Sequence, residues 1–382
     1  MNILLVTPWR PSTTGGISTV IASLGTEFEK LGHRVAVFVT DENNVVRQIE
    51  SLQTIPVYGM YLRCPISREF PLLGFAKWLF AFPFTIWQLV RLVTQLQTDA
   101  IIVQYPLPNM FYFGLLTRLS GVRLVVTYNG NDAHDLGEWH RWERALVGFL
   151  LREADIVFGV SRTLLAKVQQ AFPWFQTKRQ SLMPNGAPLA LIERVQPTQT
   201  EKLGHQEFAL TAGHLIRRKG IDVIISALKL AKDAGVRVQM MIAGDGPERE
   251  ALIWQAQELD VAGQIKFLGN RSQEEVLSLM KASAFFVLAS RAEGMPLVVA
   301  EAMACGTAVV ATEVDGIPDM VQQGSTGLLV PSEDPQALAR AMVDLATQPS
   351  HRQELAARGK DWALKQYNWT VIAQRYLEHL RA

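Results

Sequence analysis

The sequence predicts an α/β chain built as two doubly wound domains, on three observations. Apolar runs of strand length alternate with helix-length amphipathic stretches through both halves of the 382 residues. A polar, turn-rich segment over residues 186–205 separates the halves. Glycine turns recur between strands and helices on both sides of that segment.

Composition supports this reading. With 48% hydrophobic residues and no low-complexity tract, the chain can bury two cores of ordinary size. Lys plus Arg (37) balances Asp plus Glu (36), so the total charge gives no sign of a nucleic-acid partner. Cys64 and Cys305 fall in different halves without metal-ligand spacing, which suits a reducing compartment and makes the cytoplasm the expected location.

The opening MNILLVTPWR has no basic residue ahead of its apolar run, so it reads as a first strand, 2–7, rather than a signal peptide. A helix over 17–31 and a strand over 34–40 complete a βαβ unit, and strands follow at 100–104, 123–127 and 156–160. This half is expected to form one parallel sheet. Its segment from Phe70 to Val93 is long enough to span a bilayer, but Pro71, Lys77, Pro83, Gln88 and Arg91 interrupt it. One or two helices on the sheet are expected there, with peripheral membrane contact through 70–93 as the alternative.

The second half repeats the scheme. Strands are expected at 208–213, 236–243, 264–268, 284–288, 308–311 and 327–330, with helices near 221–234, 248–259, 273–282, 335–346 and 351–366. The closing WTVIAQRYLEHLR reads as a helix able to pack back across the linker. The domains expected are 1–190 and 205–365, both Rossmann-like and facing a central cleft, with 366–382 returning toward the first.

The most informative stretch is ASRAEGMPLVVAEAMACG, where Glu293 precedes a Gly-Met-Pro turn and Glu301 follows after seven residues. Proline is favoured at a helix start, so a helix is expected from Pro296, with Glu301 about 7 Å along its axis. An electropositive helix end between two acids can hold a diphosphate while the acids accept from hydroxyls on either side. Two carboxylates would repel each other on the same phosphates. A nucleoside diphosphate sugar has that shape. Gly15-Gly16 and Lys219-Gly220 offer further backbone amides and one ammonium.

The run SRAEGMPLVVAEAMA resembles the signature of retaining glycosyltransferases of GT-B fold, family 4 (group 1). The resemblance extends to Gly15-Gly16-Ile17, Ser161, Pro184-Asn185-Gly186, Lys219-Gly220, Ala243-Gly244-Asp245-Gly246-Pro247, Gly316-Ile317-Pro318 and the tail from Trp369. It implies an acceptor-binding first domain and a nucleotide-sugar-binding second domain. Glu293 would approach the donor sugar, amides of Gly294, Met295, Pro296 and Leu297 would meet the sugar and diphosphate, and Glu301 would hold the ribose. Lys219 would neutralise the leaving diphosphate, with help from the Gly16 amide. The sequence contains no Asp-X-Asp triplet, in keeping with metal-independent transfer. No cofactor is expected beyond the donor substrate, UDP- or GDP-linked, and the acceptor is expected to be a glycan or lipid-linked hydroxyl.

Two positions leave the pattern. His214 stands where the family has arginine, so Arg217, Arg218 or a cationic His214 must supply that charge. Asn129 stands where the family has histidine, and Asn129 with His134 is the candidate catalytic pair in the first domain, Asp132 and Asp135 lying close by. These departures keep two rivals open: a sugar-nucleotide-binding protein with impaired catalysis, and a sugar-nucleotide epimerase.

Overall fold

A computed structural model of the chain describes residues 1–12, 16–65, 71–198 and 207–381. Its contacts divide the chain into Met1–Asn185 with Trp369–Ala382, and Gly186–Asn368.

The first unit holds an eight-stranded sheet: β1 Asn2–Thr7, β2 Arg34–Thr40, β3 Arg47–Leu52, β4 Ile55–Met60, β5 Ala100–Gln104, β6 Arg123–Tyr128, β7 Ile156–Gly159 and β8 Gln180–Leu182. The order is β3-β4-β2-β1-β5-β6-β7-β8. The order reverses between β1 and β5, which puts the loop after each of these strands at a topological switch point. Trp9, just past β1, meets Tyr105, just past β5, edge to face at 4.7 Å between ring centroids.

The expectation of a purely parallel sheet is corrected at its edge. β3 and β4 form an antiparallel hairpin, with Gln53 in the turn at φ 54°. Arg47–Leu52 is polar and largely exposed, as an edge strand can be, and neither turn residue is the glycine or asparagine that marks such hairpins.

Pro71–Gln95 is one helix running through Pro83. Pro83 sits on the exposed side, where a carbonyl freed by its missing N–H can meet water. The other side buries Leu89, Leu92 and Val93, and Trp78 donates to the Tyr112 hydroxyl at 3.0 Å.

The helix Trp369–Arg381 packs into the first unit's core, where Trp369, Ile372, Tyr376 and Leu380 join Ile3, Leu5 and Phe28. Tyr376 also reaches polar partners: its hydroxyl accepts from Gln104 Nε2 and pairs with Thr127 Oγ1, both at 3.0 Å.

The second unit holds a six-stranded parallel sheet: β9 Phe208–Ala212, β10 Gln239–Ala243, β11 Ile265–Gly269, β12 Phe285–Leu288, β13 Ala308–Thr312 and β14 Leu328–Val330. The order is β11-β10-β9-β12-β13-β14, so β9 and β12 flank the switch point. The segment expected as linker contains a helix, Leu189–Arg194, and is tied down beyond it. Lys281 Nζ donates to the Val195 carbonyl at 2.7 Å and Ser278 Oγ to the Gln196 carbonyl at 2.7 Å.

Candidate functional site

Lys219 and Glu293 come from the two loops that leave the switch strands β9 and β12. Lys219 ends a tight turn, Arg217–Lys219, and Gly220 follows at φ 64°. A Cβ on Gly220 would lie 1.9 Å from the Ala289 carbonyl oxygen, so only glycine lets the first loop pass this close to the second. Across that contact Lys219 Nζ lies 2.5 Å from Glu293 Oε1.

Glu293 is 6% exposed and its position is fixed from three sides. Ser290 Oγ donates to the same Oε1 at 2.8 Å, and the Glu293 amide donates to Asp315 Oδ2 at 2.9 Å. Oε2 carries no hydrogen bond among the described residues.

Arg291, two residues earlier, binds the loops together. Its amide donates to the Arg218 carbonyl at 2.7 Å, and its guanidinium grips both oxygens of Asp222 at 2.9 and 2.7 Å. It also reaches the Arg217 carbonyl and Glu333. Asp222 lies in the first turn of the helix Ile221–Asp233. The turn that carries Lys219 is therefore held by the strand end that carries Glu293.

The helix after the Gly-Met-Pro turn is Leu297–Cys305, with Pro296 as its N-cap rather than its first residue. Pro296 has no N–H, so it cannot donate to a ligand as expected of the Gly294–Leu297 amides; it fixes the chain direction instead. Val299 N bonds the Pro296 carbonyl, which leaves the amides of Leu297 and Val298 at the electropositive helix end. Glu301 is 5% exposed, and its Oε1 accepts from Gln273 Nε2 at 2.8 Å. Burial raises its carboxyl above the ordinary range, against the lowering effect of Gln273.

His214 is exposed, and its Nδ1 donates to the Asp245 carbonyl at 2.6 Å, which points Nε2 away from that backbone. Arg218 is half-buried.

In the first unit, Asn129 and His134 follow β6. Asn129 Nδ2 donates to Gln104 Oε1 at 2.9 Å and the Thr127 carbonyl at 3.2 Å, while Oδ1 accepts from Asn185 at 3.4 Å. Both amide hydrogens are thus committed to the network that ends on Tyr376. His134 Nδ1 meets Lys167 Nζ. Asp132 is buried and accepts from the amides of Asn129 and Gly130 at 2.9 and 2.6 Å. Burial pushes its carboxyl up to about 7, against those amides. His140 and Glu143 form a capping box at the head of Arg141–Glu153, and Ser161 caps Arg162–Ala171.

Gly16 begins the helix Gly16–Lys30 and is exposed, whereas Gly15 lies outside the described residues. Cys64 and Cys305 are free, and burial pushes each thiol up to about 12.

Sequence reasoning missed Ser290, Arg291, Asp315, Gln273 and Asp222. Ser290 and Arg291 stand inside the quoted signature and Asp315 directly before Gly316-Ile317-Pro318, so adjacency to a motif was the available signal. Nothing in sequence marks Gln273 or Asp222, which arrive from other helices.

Two family models divide the chain: glycosyltransferase family 4 matches residues 14–191 and glycosyl transferases group 1 matches residues 193–362. An uncharacterised glycosyltransferase from Methanocaldococcus jannaschii is 31% identical over 271 residues, covering 71% of this chain and 72% of its own length. Alpha-monoglucosyldiacylglycerol synthase of Streptococcus pneumoniae is 27% identical over 383 residues, covering 94% and 81% respectively. Among solved structures, Alr3699/HepE of Anabaena in complex with UDP superposes with a TM-score of 0.79 at 19% identity over 100% of both chains, a likeness of fold. The ordered motifs, the two α/β sheets and these matches agree: the chain belongs to glycosyltransferase family 4, group 1, has the GT-B fold, and is a glycosyltransferase.

Proposed function

We propose that the protein moves a sugar from a nucleoside diphosphate, UDP- or GDP-linked, to a hydroxyl acceptor on a glycan or lipid, with retention at the anomeric carbon and without a metal ion. One observation supports this best: the Lys219–Glu293 contact at the head of Leu297–Cys305, on the switch point of the sheet.

In this reading the diphosphate lies against the free amides of Leu297 and Val298, with Lys219 shared between it and Glu293. Glu293 keeps one oxygen on the ammonium and turns the other, Oε2, to a donor-sugar hydroxyl. Glu301 accepts from the ribose. The bond from the anomeric carbon to the β-phosphate oxygen breaks, and the diphosphate leaves with the electron pair. Its oxygen then takes the proton of the acceptor hydroxyl as the new bond forms on the same face. Lys219 and the helix end stabilise the growing negative charge, which gains most where water is excluded.

Asn129 acts as a positioning residue, because its amide hydrogens are spent on Gln104 and Thr127. The free thiols accord with a cytoplasmic setting, and the 70–93 segment with peripheral membrane contact.

Thermal shifts against UDP-, GDP- and ADP-sugars test donor binding, since a ligand of the native state raises its melting temperature. Product configuration by NMR, with and without EDTA, tests the rest. Absence of any shift, an inverted product, or complete loss in EDTA would each remove the corresponding part.

A further inference from the structure

The helix Pro71–Gln95 is apolar on both sides. One side is covered, while Leu79, Phe84, Trp87 and Phe80, the last 91% exposed, stand out from the other. By length and composition the helix could cross a membrane, yet Thr85 and Gln88 are buried with its packed side and Gln88 bonds the backbone of Asn44 and Val46. That side is committed to the protein, which leaves the helix able to lie along an apolar surface rather than through one.

Beside the exposed face is a hollow of about 430 Å³, lined by Tyr61, Arg63, Lys77, Phe80 and Phe84 among others. Its lining combines two cations, Arg63 and Lys77, with the rings of Tyr61, Phe80 and Phe84. Arg63 stacks on Tyr61 at 5.1 Å, and Lys77 is exposed on the helix. Arg91 lies over Trp87 at 5.6 Å on the same helix, which contains no acidic residue. A ring-lined apolar face with cations beside it is complementary to an anionic lipid surface, where tryptophan and lysine stems sit at headgroup depth.

We propose that this face lies in the surface of a membrane containing anionic phospholipid, with one lipid phosphate seated between Arg63 and Lys77. The proposal deepens the transferase reading, on which it rests, by making the acceptor lipid-anchored. A second hollow, about 660 Å³, shares Tyr61 with the first and is lined by Arg10, Asp41, Glu42 and Arg47. It offers hydrogen-bonding groups to the hydroxylated head of such a lipid.

Co-sedimentation with vesicles tests the docking without any donor or turnover. The protein should pellet with phosphatidylcholine vesicles in which about a third of the lipid is phosphatidylglycerol, and about tenfold less with pure phosphatidylcholine. Lys77→Glu, and Phe80→Ser combined with Phe84→Ser, should each weaken binding about tenfold, while Arg340→Glu on the other unit should not. All these side chains are exposed, and melting curves check the fold. Equal binding to both vesicle types, binding to neither, or an equal loss in Arg340→Glu would overturn the proposal. Donor-induced thermal shifts in the same variants keep the two readings apart. Lost vesicle binding with intact shifts marks the membrane surface alone; absent shifts in a protein that still binds vesicles mark a failure of the donor reading alone.

Discussion

Lys219 Nζ and Glu293 Oε1 lie 2.5 Å apart although 74 residues separate them in the chain. Both side chains are largely buried, so the pair places one cation and one anion in a region poor in water, where removing one partner leaves an uncompensated charge.

Replacing Glu293 with Gln should therefore separate binding from chemistry. Glutamine keeps the acceptor oxygen for Ser290 but loses the charge that balances Lys219. Turnover is expected to fall about a hundredfold or more, the scale of one lost transition-state contact, with nucleotide-induced thermal shifts retained. Near-normal kcat would remove the role assigned to Glu293.

Arg291→Lys should act through the Lys219 turn. Lysine cannot grip both oxygens of Asp222 and also reach Glu333, so the turn loosens while all ligand-contacting residues remain. The expected result is a donor KM raised about tenfold with a smaller change in kcat, and a non-additive double mutant with Asp222→Asn. Additive effects would show that the two side chains do not work as one clamp.

Tyr376→Phe removes the hydroxyl shared by Gln104 and Thr127, leaving buried polar groups without a partner. Denaturation should show a loss of about 1–3 kcal/mol. Gln104 also orients Asn129, so acceptor KM should rise while donor binding stays unchanged. An unchanged acceptor KM would confine the network to stability.

Asp132 gives a pH dependence of known sign. Its native carboxyl holds a proton up to about pH 7, far above the ordinary carboxylate value near 4. Between those values the native state binds more protons than the unfolded chain, so stability falls as pH rises and levels off above 7. Urea unfolding across that range should show the decline in the wild type and a flatter profile in Asp132→Asn. Equal slopes would place the titrating group elsewhere.

The sequence by itself determined the alternation of strands and helices, because hydrophobic period and turn chemistry are local properties. β1, β2 and β5 and the helix Gln273–Ala282 fall where the pattern puts them. It also carried the signature around Glu293 and Glu301, since one turn and one helix hold both acids.

What it left out depends on residues meeting across distance. β3 is polar, so no period marks it, and only pairing with β4 makes it a strand. Asn129, a candidate catalytic residue by sequence, spends its amide hydrogens on Gln104 and Thr127, and Arg291 gains its role only where Asp222 meets it from another helix. The exposed face of Pro71–Gln95 could not be told from a buried one, because both sides of that helix are apolar and only packing decides which is covered. Composition and spacing name the groups a chain carries; the order of strands in the sheet decides which groups stand at the same switch point, and therefore which charges are paired and which remain open to a ligand.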